Sequence, residues 1–126
     1  MTLQKVFNAK TVIITGHTGF KGAWLTAWLK QLGAKVVGIA LDPPTEPSHF
    51  VAAQLADGMV DLRIDIRNQV ALEEAIVSAQ PDFVFHLAAQ ALVRRSYEDP
   101  VETWQTNLLG TLHVLESLRK LVKPCA

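Results

Sequence analysis

Cysteine is all but missing. The one present, Cys125, has no mate for an internal disulfide or a thiolate metal cluster, which fits a reducing cytoplasm. Neither sign of charge is in excess: twelve Lys and Arg offset twelve Asp and Glu. No basic stripe is therefore available for a polyanion, and nucleic acid is not an expected partner. No apolar run approaches the ~18 residues of a membrane span, and MTLQKVFNAK at the start lacks the long apolar stretch of a signal peptide. Internal repeats, low-complexity tracts, interdomain linkers and a metal-ligand set are missing too. A cytoplasmic protein with no membrane partner and no metal is expected.

What is there reads as a folded chain, with 49% hydrophobic and 19% charged residues among 126. Thr11–Thr15 is a β-branched run ending in a glycine turn, and it predicts a buried strand. Phe20, Trp24, Leu25, Trp28, Leu29 and Leu32 follow at helical spacing, with Gly33 placed as a C-terminal cap. On that helix Trp24 and Trp28 are expected in the core. Further strands are predicted over 35–41, 59–64 and 83–87. A short helix is expected near 50–56, another over 70–79 with Val70, Leu72, Ile76 and Val77 inward, a loop over 88–100, and one long helix from Val101 to Val122. Strands alternate with helices, so the predicted class is α/β: a Rossmann-type doubly wound parallel sheet, first half only, with strand order 3-2-1-4. A sheet ending at its fourth strand would expose an apolar edge. Residues 1–126 are therefore expected to be the N-terminal part of a longer NAD-binding Rossmann domain.

Thr15-Gly16-His17-Thr18-Gly19-Phe20-Lys21-Gly22 fits T-G-x-x-G-x-x-G between a strand and a helix. Gly16 allows the turn, Gly19 lets backbone approach a pyrophosphate, and Gly22 lets the helix pack on the strand. Thr18 and Phe20 belong to the same candidate loop. His17 lies either beside the pyrophosphate or nicotinamide ribose, or on the solvent side. Asp42, twenty residues after Gly22, is the candidate for the ribose hydroxyls, or else a turn residue before two prolines. No Arg or Lys between Val36 and Gly58 is available for a 2′-phosphate, so NAD is expected over NADP. Asp65 and Ile66 follow the third strand, where an adenine amino group commonly finds a carboxylate; Asp65 in the N-cap region of the next helix is the alternative. Ala88 and Ala89 are small enough for a cofactor to lie on the backbone, although close packing explains them as well.

These residues resemble a known family. Thr15–Gly22, Asp65-Ile66-Arg67, His86-Leu87-Ala88-Ala89 and Asn107-x-x-Gly110-Thr111 are similar to the pattern of extended short-chain dehydrogenases/reductases. Gly16 to Leu25, Leu41 to Ser48, His86 to Gln90, and Leu92-Val93-Arg94 with Ser96-Tyr97 resemble the CDP-glucose 4,6-dehydratases within it. The resemblance implies a nucleotide-sugar substrate, CDP-glucose, and a held NAD that takes hydride from C4 and returns it to C6 after water leaves. It implies that Gly16, Gly19 and Gly22 hold the pyrophosphate, and Asp65 and Ile66 the adenine. Leu87, Ala88, Ala89 and Gln90 would line the nicotinamide side, Thr106 would touch the cofactor, and Asn107 would bond the fourth strand. The family's ribose-binding Asp position is Ala40 here, with Asp42 two residues on. Its Tyr-x-x-x-Lys pair is absent, because Tyr97 is followed four residues later by Val101. No catalytic residue is assigned to this chain. A homodimer through the long helix is also implied. A related epimerase and a non-catalytic NAD-binding module are the alternatives.

Overall fold

Four short apolar runs pair side by side. In the computed structural model, which describes residues 2–126, they are β1 (Thr11–Thr15), β2 (Lys35–Ala40), β3 (Val60–Arg63) and β4 (Phe83–His86). All pairings are parallel and the order is β3-β2-β1-β4, as expected from the alternation of strands and helices. Thr15 stands opposite Ile39 on one side and His86 on the other, so three strand ends meet at one level.

The period-2 alternation of the strands divides the core into two layers. Ile13, Val37 and Ile39 face α4 (Gln69–Ala79) and α7 (Gly110–Leu118), meeting Leu72, Ile76 and Val114. Val12, Ile14 and Val36 face α2 (Phe20–Gln31) and pack on Leu29. Both α1 (Leu3–Phe7) and α3 (His49–Ala52) close that second side, with Phe7 against Phe83 and Phe50 buried beside Ala23. Gly33, at φ +81°, ends α2 as its spacing predicts.

Several expectations are corrected. Trp24 and Trp28 are not core: they are 58% and 52% exposed, and α2 instead buries its small face, Gly22, Ala23, Thr26 and Leu29. Small residues let the helix axis lie close to the sheet, which pushes the indoles to the rim, where Trp24 stacks on His49 at 4.5 Å. Val70 is exposed because α4 starts at Gln69 and its inward face begins at Leu72. The segment 88–100 is not all loop but holds α5 (Val93–Glu98). The long helix is not uniform. It runs as α6 (Pro100–Trp104), a π-helical segment (Gln105–Leu109) and α7, and stops at Leu118 rather than Val122. Its first turn is capped by Asp99.

Gly38 sits in the middle of β2, where a glycine usually weakens a strand. Its Cβ would overlap the ring of His17, whose Nδ1 would lie 2.6 Å away. The missing side chain is the space that ring fills. Gly38→Ala is therefore expected to destabilise the fold by about 1–3 kcal/mol. Combining it with His17→Ala should recover part of that loss. Urea unfolding of the two single variants and the double checks this, and additive losses would contradict it.

Candidate dinucleotide site at the strand ends

The glycine loop leaves β1 and enters α2, and its three glycines have different physical causes. Gly16 has φ +79°, and a Cβ there would lie 2.9 Å from the Ala88 nitrogen. A Cβ on Gly22 would overlap the Gly16 carbonyl. Both positions are forced by the chain's own backbone. Gly19 is different. Its φ is −77°, and an added Cβ meets only the Gly16 oxygen at 3.4 Å. Among the described residues nothing else stands near that position, so the free space faces outward from the loop. Gly19 is also the N-cap of α2 and offers no side-chain cap. Four other helices begin under side-chain caps, from Thr2, Ser48, Asn68 and Asp99. A twelve-residue helix thus opens uncapped onto a bare glycine, the arrangement that presents free N–H groups to an anion.

Thr15 holds this loop to β4. Its buried Oγ1 accepts from the Leu87 and Ala88 N–H groups at 3.0 and 3.1 Å. With both lone pairs used, its proton goes to His86 Nδ1, 2.6 Å away. His86 is thereby the neutral tautomer with hydrogen on Nε2, which it donates to Thr111 Oγ1 at 2.9 Å. Thr111 donates in turn to the Asn107 carbonyl at 2.7 Å, in the π-helical segment. This directed chain joins β1, β4 and the long helix. Burial lowers the proton affinity of His86 below its ordinary value near 6.5.

Several candidate residues point elsewhere than expected. His17 is neither beside a pyrophosphate nor in solvent. It is fully buried, lies edge-on to Phe50 at 5.1 Å, and its Nε2 reaches Asp61 Oδ1 at 2.6 Å across Gly38. Burial outweighs the pull of Asp61 and keeps the ring neutral, so Nε2–H donates to the carboxylate. Thr18 is buried and donates to the Leu41 carbonyl at 2.9 Å. Phe20 is exposed at the start of α2. Ile66 has its side chain in the core against Gly110, while its carbonyl accepts from His113 Nδ1 at 2.8 Å. Gln90 bonds Asn107 through its backbone N–H (2.8 Å) and carbonyl (3.0 Å), and its amide braces Leu92 and Thr103. Asn107 thus ties the loop after β4 rather than the strand itself. Thr106 is half-buried in the π-helical segment.

Leu87 and Ala88 lie beside Gly16, their backbone packed against it. Asp65 is not the N-cap of α4; Asn68 is. Its carboxylate is instead gripped by Arg67 at 2.6–3.1 Å, which holds it below the usual carboxylate range. Arg67 also approaches Glu102, which Arg95 clasps at 2.6 and 2.8 Å. Asp42 is 91% exposed, and the expectation that no cation lies near it is overturned. Arg63, at the end of β3, is 3.5 Å away. The window 36–58 could not reveal it, because Arg63 is brought there by the pairing of Ala40 with Arg63 across the sheet.

A sequence model described as GDP-mannose 4,6 dehydratase matches residues 13–125, nearly the whole chain. The chain belongs to this family. It is 50% identical over 118 residues to the CDP-glucose 4,6-dehydratase of Salmonella typhimurium, covering 94% of this chain and 33% of that one. In structure it is similar to an epimerase from Methanothermobacter thermautotrophicus, with TM-score 0.78, 26% identity, and 94% and 34% of the two chains covered. It is likewise similar to the Thermus thermophilus UDP-glucose 4-epimerase solved in complex with NAD, with TM-score 0.75, 33% identity, and 87% and 34% covered. The chain spans about a third of the length of the relatives it matches.

The neutral His86 has a consequence for stability. The unfolded chain takes up a proton on this residue near pH 6.5, whereas the folded one does so only at lower pH. The unfolded state therefore holds more protons in that window, so stability is complete above it and falls as pH drops through it. His17 acts in the same direction. The thermal midpoint should decline between pH 7.5 and 5, and His86→Gln should flatten the decline. A midpoint constant over that range would contradict the assignment.

Proposed function

We propose that this chain is the dinucleotide-binding part of an NAD-dependent nucleotide-sugar 4,6-dehydratase whose substrate is CDP-glucose. The observation that carries the cofactor is Gly19, a glycine with no close steric neighbour among the described residues, at the uncapped start of α2. CDP-glucose as substrate is supported by the 50% identity to the Salmonella enzyme. Residues 1–126 form the N-terminal part of a Rossmann domain. The half-buried β4 supports a sheet that continues beyond it, since Ala126 already bonds Asp82 and Val84 along its outer edge.

The residues present fit the cofactor. Gly16, Gly19 and Gly22 with the first turn of α2 would receive the pyrophosphate, and Asp42 would lie at the adenosine ribose. Asp65 would meet the adenine from its clasp with Arg67, together with the backbone of Ile66. Leu87, Ala88 and Ala89 would pass the nicotinamide half, and Thr106 would approach from the helix. Thr18, His17 and Gln90 would act from behind, holding the loops that form the walls. When bound, NAD supplies the hydride acceptor and donor for the internal redox cycle. No group here combines a base near neutral pH with a sugar pocket. His86 is committed on both nitrogens and Tyr97 is exposed with no Lys four residues on, so catalysis falls to residues outside this chain. An epimerase is the second reading, favoured by the epimerase neighbours in structure.

Calorimetric titration tests the reading. The chain should bind NAD, and Gly19→Val should lose binding by at least about tenfold while keeping its circular dichroism. Gly22→Ala should lose both. NAD binding that survives Gly19→Val would mean that the loop faces no pyrophosphate. The full-length protein should form a 4-keto-6-deoxy product from CDP-glucose; interconversion of two hexose epimers instead would favour the second reading.

The long helix supports a homodimer of the whole protein. Val101, Trp104, Leu108, Leu109, Leu112 and Leu115 are exposed along it, a contiguous apolar face of the kind that marks an interface. Sedimentation of the full-length protein should give a dimer at micromolar concentration, and Leu108→Glu should shift it to monomer. A monomeric parent protein would overturn this.

A further inference from the structure

Arg63 is the one feature at the adenosine end of the crevice that the reading above does not use. Its guanidinium is held from several directions. Nη1 donates to the Leu41 carbonyl at 3.1 Å, the same oxygen that Thr18 of the glycine loop bonds at 2.9 Å. Nη2 donates to Asp61 Oδ2 at 2.9 Å, and the group lies over the Phe50 ring at 5.4 Å. Opposite it on the ladder stands Ala40, too short to bond a ribose or to obstruct the arginine. A rigid guanidinium at the end of β3, paired beside the end of β2, tied to the glycine loop and one-third exposed, is what recognition of a phosphate at the ribose 2′ position needs.

Its charge is already answered. Asp61 takes one side of the fork and Asp42 approaches Nη1 at 3.5 Å from solvent. His17 brings no compensating charge, because it sits neutral against Asp61. Two carboxylates therefore face one cation.

We infer that Arg63 is a pre-formed seat for a 2′-phosphate that Asp42 keeps shut, so that the chain selects NAD over NADP by charge placed beside Arg63 rather than by a carboxylate at position 40. The pair Asp42–Arg63 is exposed and contributes little to stability. What matters is the negative charge it sets next to an incoming phosphate of charge near −2. Asp61 is committed on both oxygens, to His17 and to Nη2 of Arg63, whereas Asp42 approaches from solvent. The selection rests on the dinucleotide reading above and refines it at the ribose.

The test is the ratio of NADP to NAD dissociation constants, measured by calorimetry on the chain and three variants. Wild type should favour NAD. Asp42→Asn, at a position too exposed to disturb folding, should move the ratio toward NADP by about tenfold at low salt, and by less near 1 M salt. Arg63→Gln added to Asp42→Asn should abolish the shift, while Arg63→Lys in the same background should retain part of it. A ratio that moves by less than about twofold in Asp42→Asn, or a shift that survives Arg63→Gln, overturns the inference and leaves NAD binding intact. A wild type that prefers NADP overturns it as well. Failure of wild type to bind either nucleotide would instead remove the dinucleotide reading itself.

Discussion

A single buried hydroxyl holds the working end of this sheet together. Thr15 Oγ1 accepts from two consecutive amides after β4 and passes its proton to His86, which hands the next one on to Thr111 in the long helix. Each donor in this series of bonds has its acceptor, and the polarity runs one way. In a low-dielectric interior such a chain is strong when complete and costly when broken. It ties the start of the loop that follows β4 to the end of β1, beside Gly16. It also anchors the long helix at its π-helical segment, where Asn107 braces the loop that follows β4.

Side chains at the site mostly turn inward, and backbone turns outward. His17, Thr18, Ile66 and Gln90 all belong to sequence motifs that suggest ligand contact, yet each bonds or packs against another part of the protein. What meets at the strand ends is backbone, that of the glycine loop and of Leu87 and Ala88. This division has a physical logic. A pyrophosphate is held by amide donors at a helix start, and amides can be presented only if something behind them is rigid. The motif residues supply that rigidity. Asp42, Asp65 and the arginines 63 and 67 are the exceptions, and they form ion pairs just past the ends of β2 and β3.

Much of the fold was legible beforehand. The first strand was read to its limits, and the cap at Gly33 and the strand order follow from spacing and alternation alone. The errors share one cause. Trp24 and Trp28 have the period of a core face, but hydrophobic spacing does not say which of two apolar stripes turns inward. On α2 the small stripe wins, because Gly22 must touch the Gly16 carbonyl and that contact sets the helix rotation. The π-helical segment and the helix over 93–98 leave no periodic signal in so few residues. Gly38, in contrast, was a signal that could have been used: a glycine inside an apolar strand marks a close approach, and here the approach is by His17.

By itself, the sequence determined the four strands and the helices that directly follow β1 and β3, the parallel order of the sheet, and the place of the glycine loop, because these depend on local periodicity and on glycines between neighbouring elements. Tertiary structure alone decided what those residues touch. Asp61 and Arg63 lie 44 and 21 residues from His17 and Asp42, and they meet them only because β3 pairs in register with β2. Register is a property of two strands at once, so the charges that gather past the ends of β2 and β3 cannot be read from either strand alone.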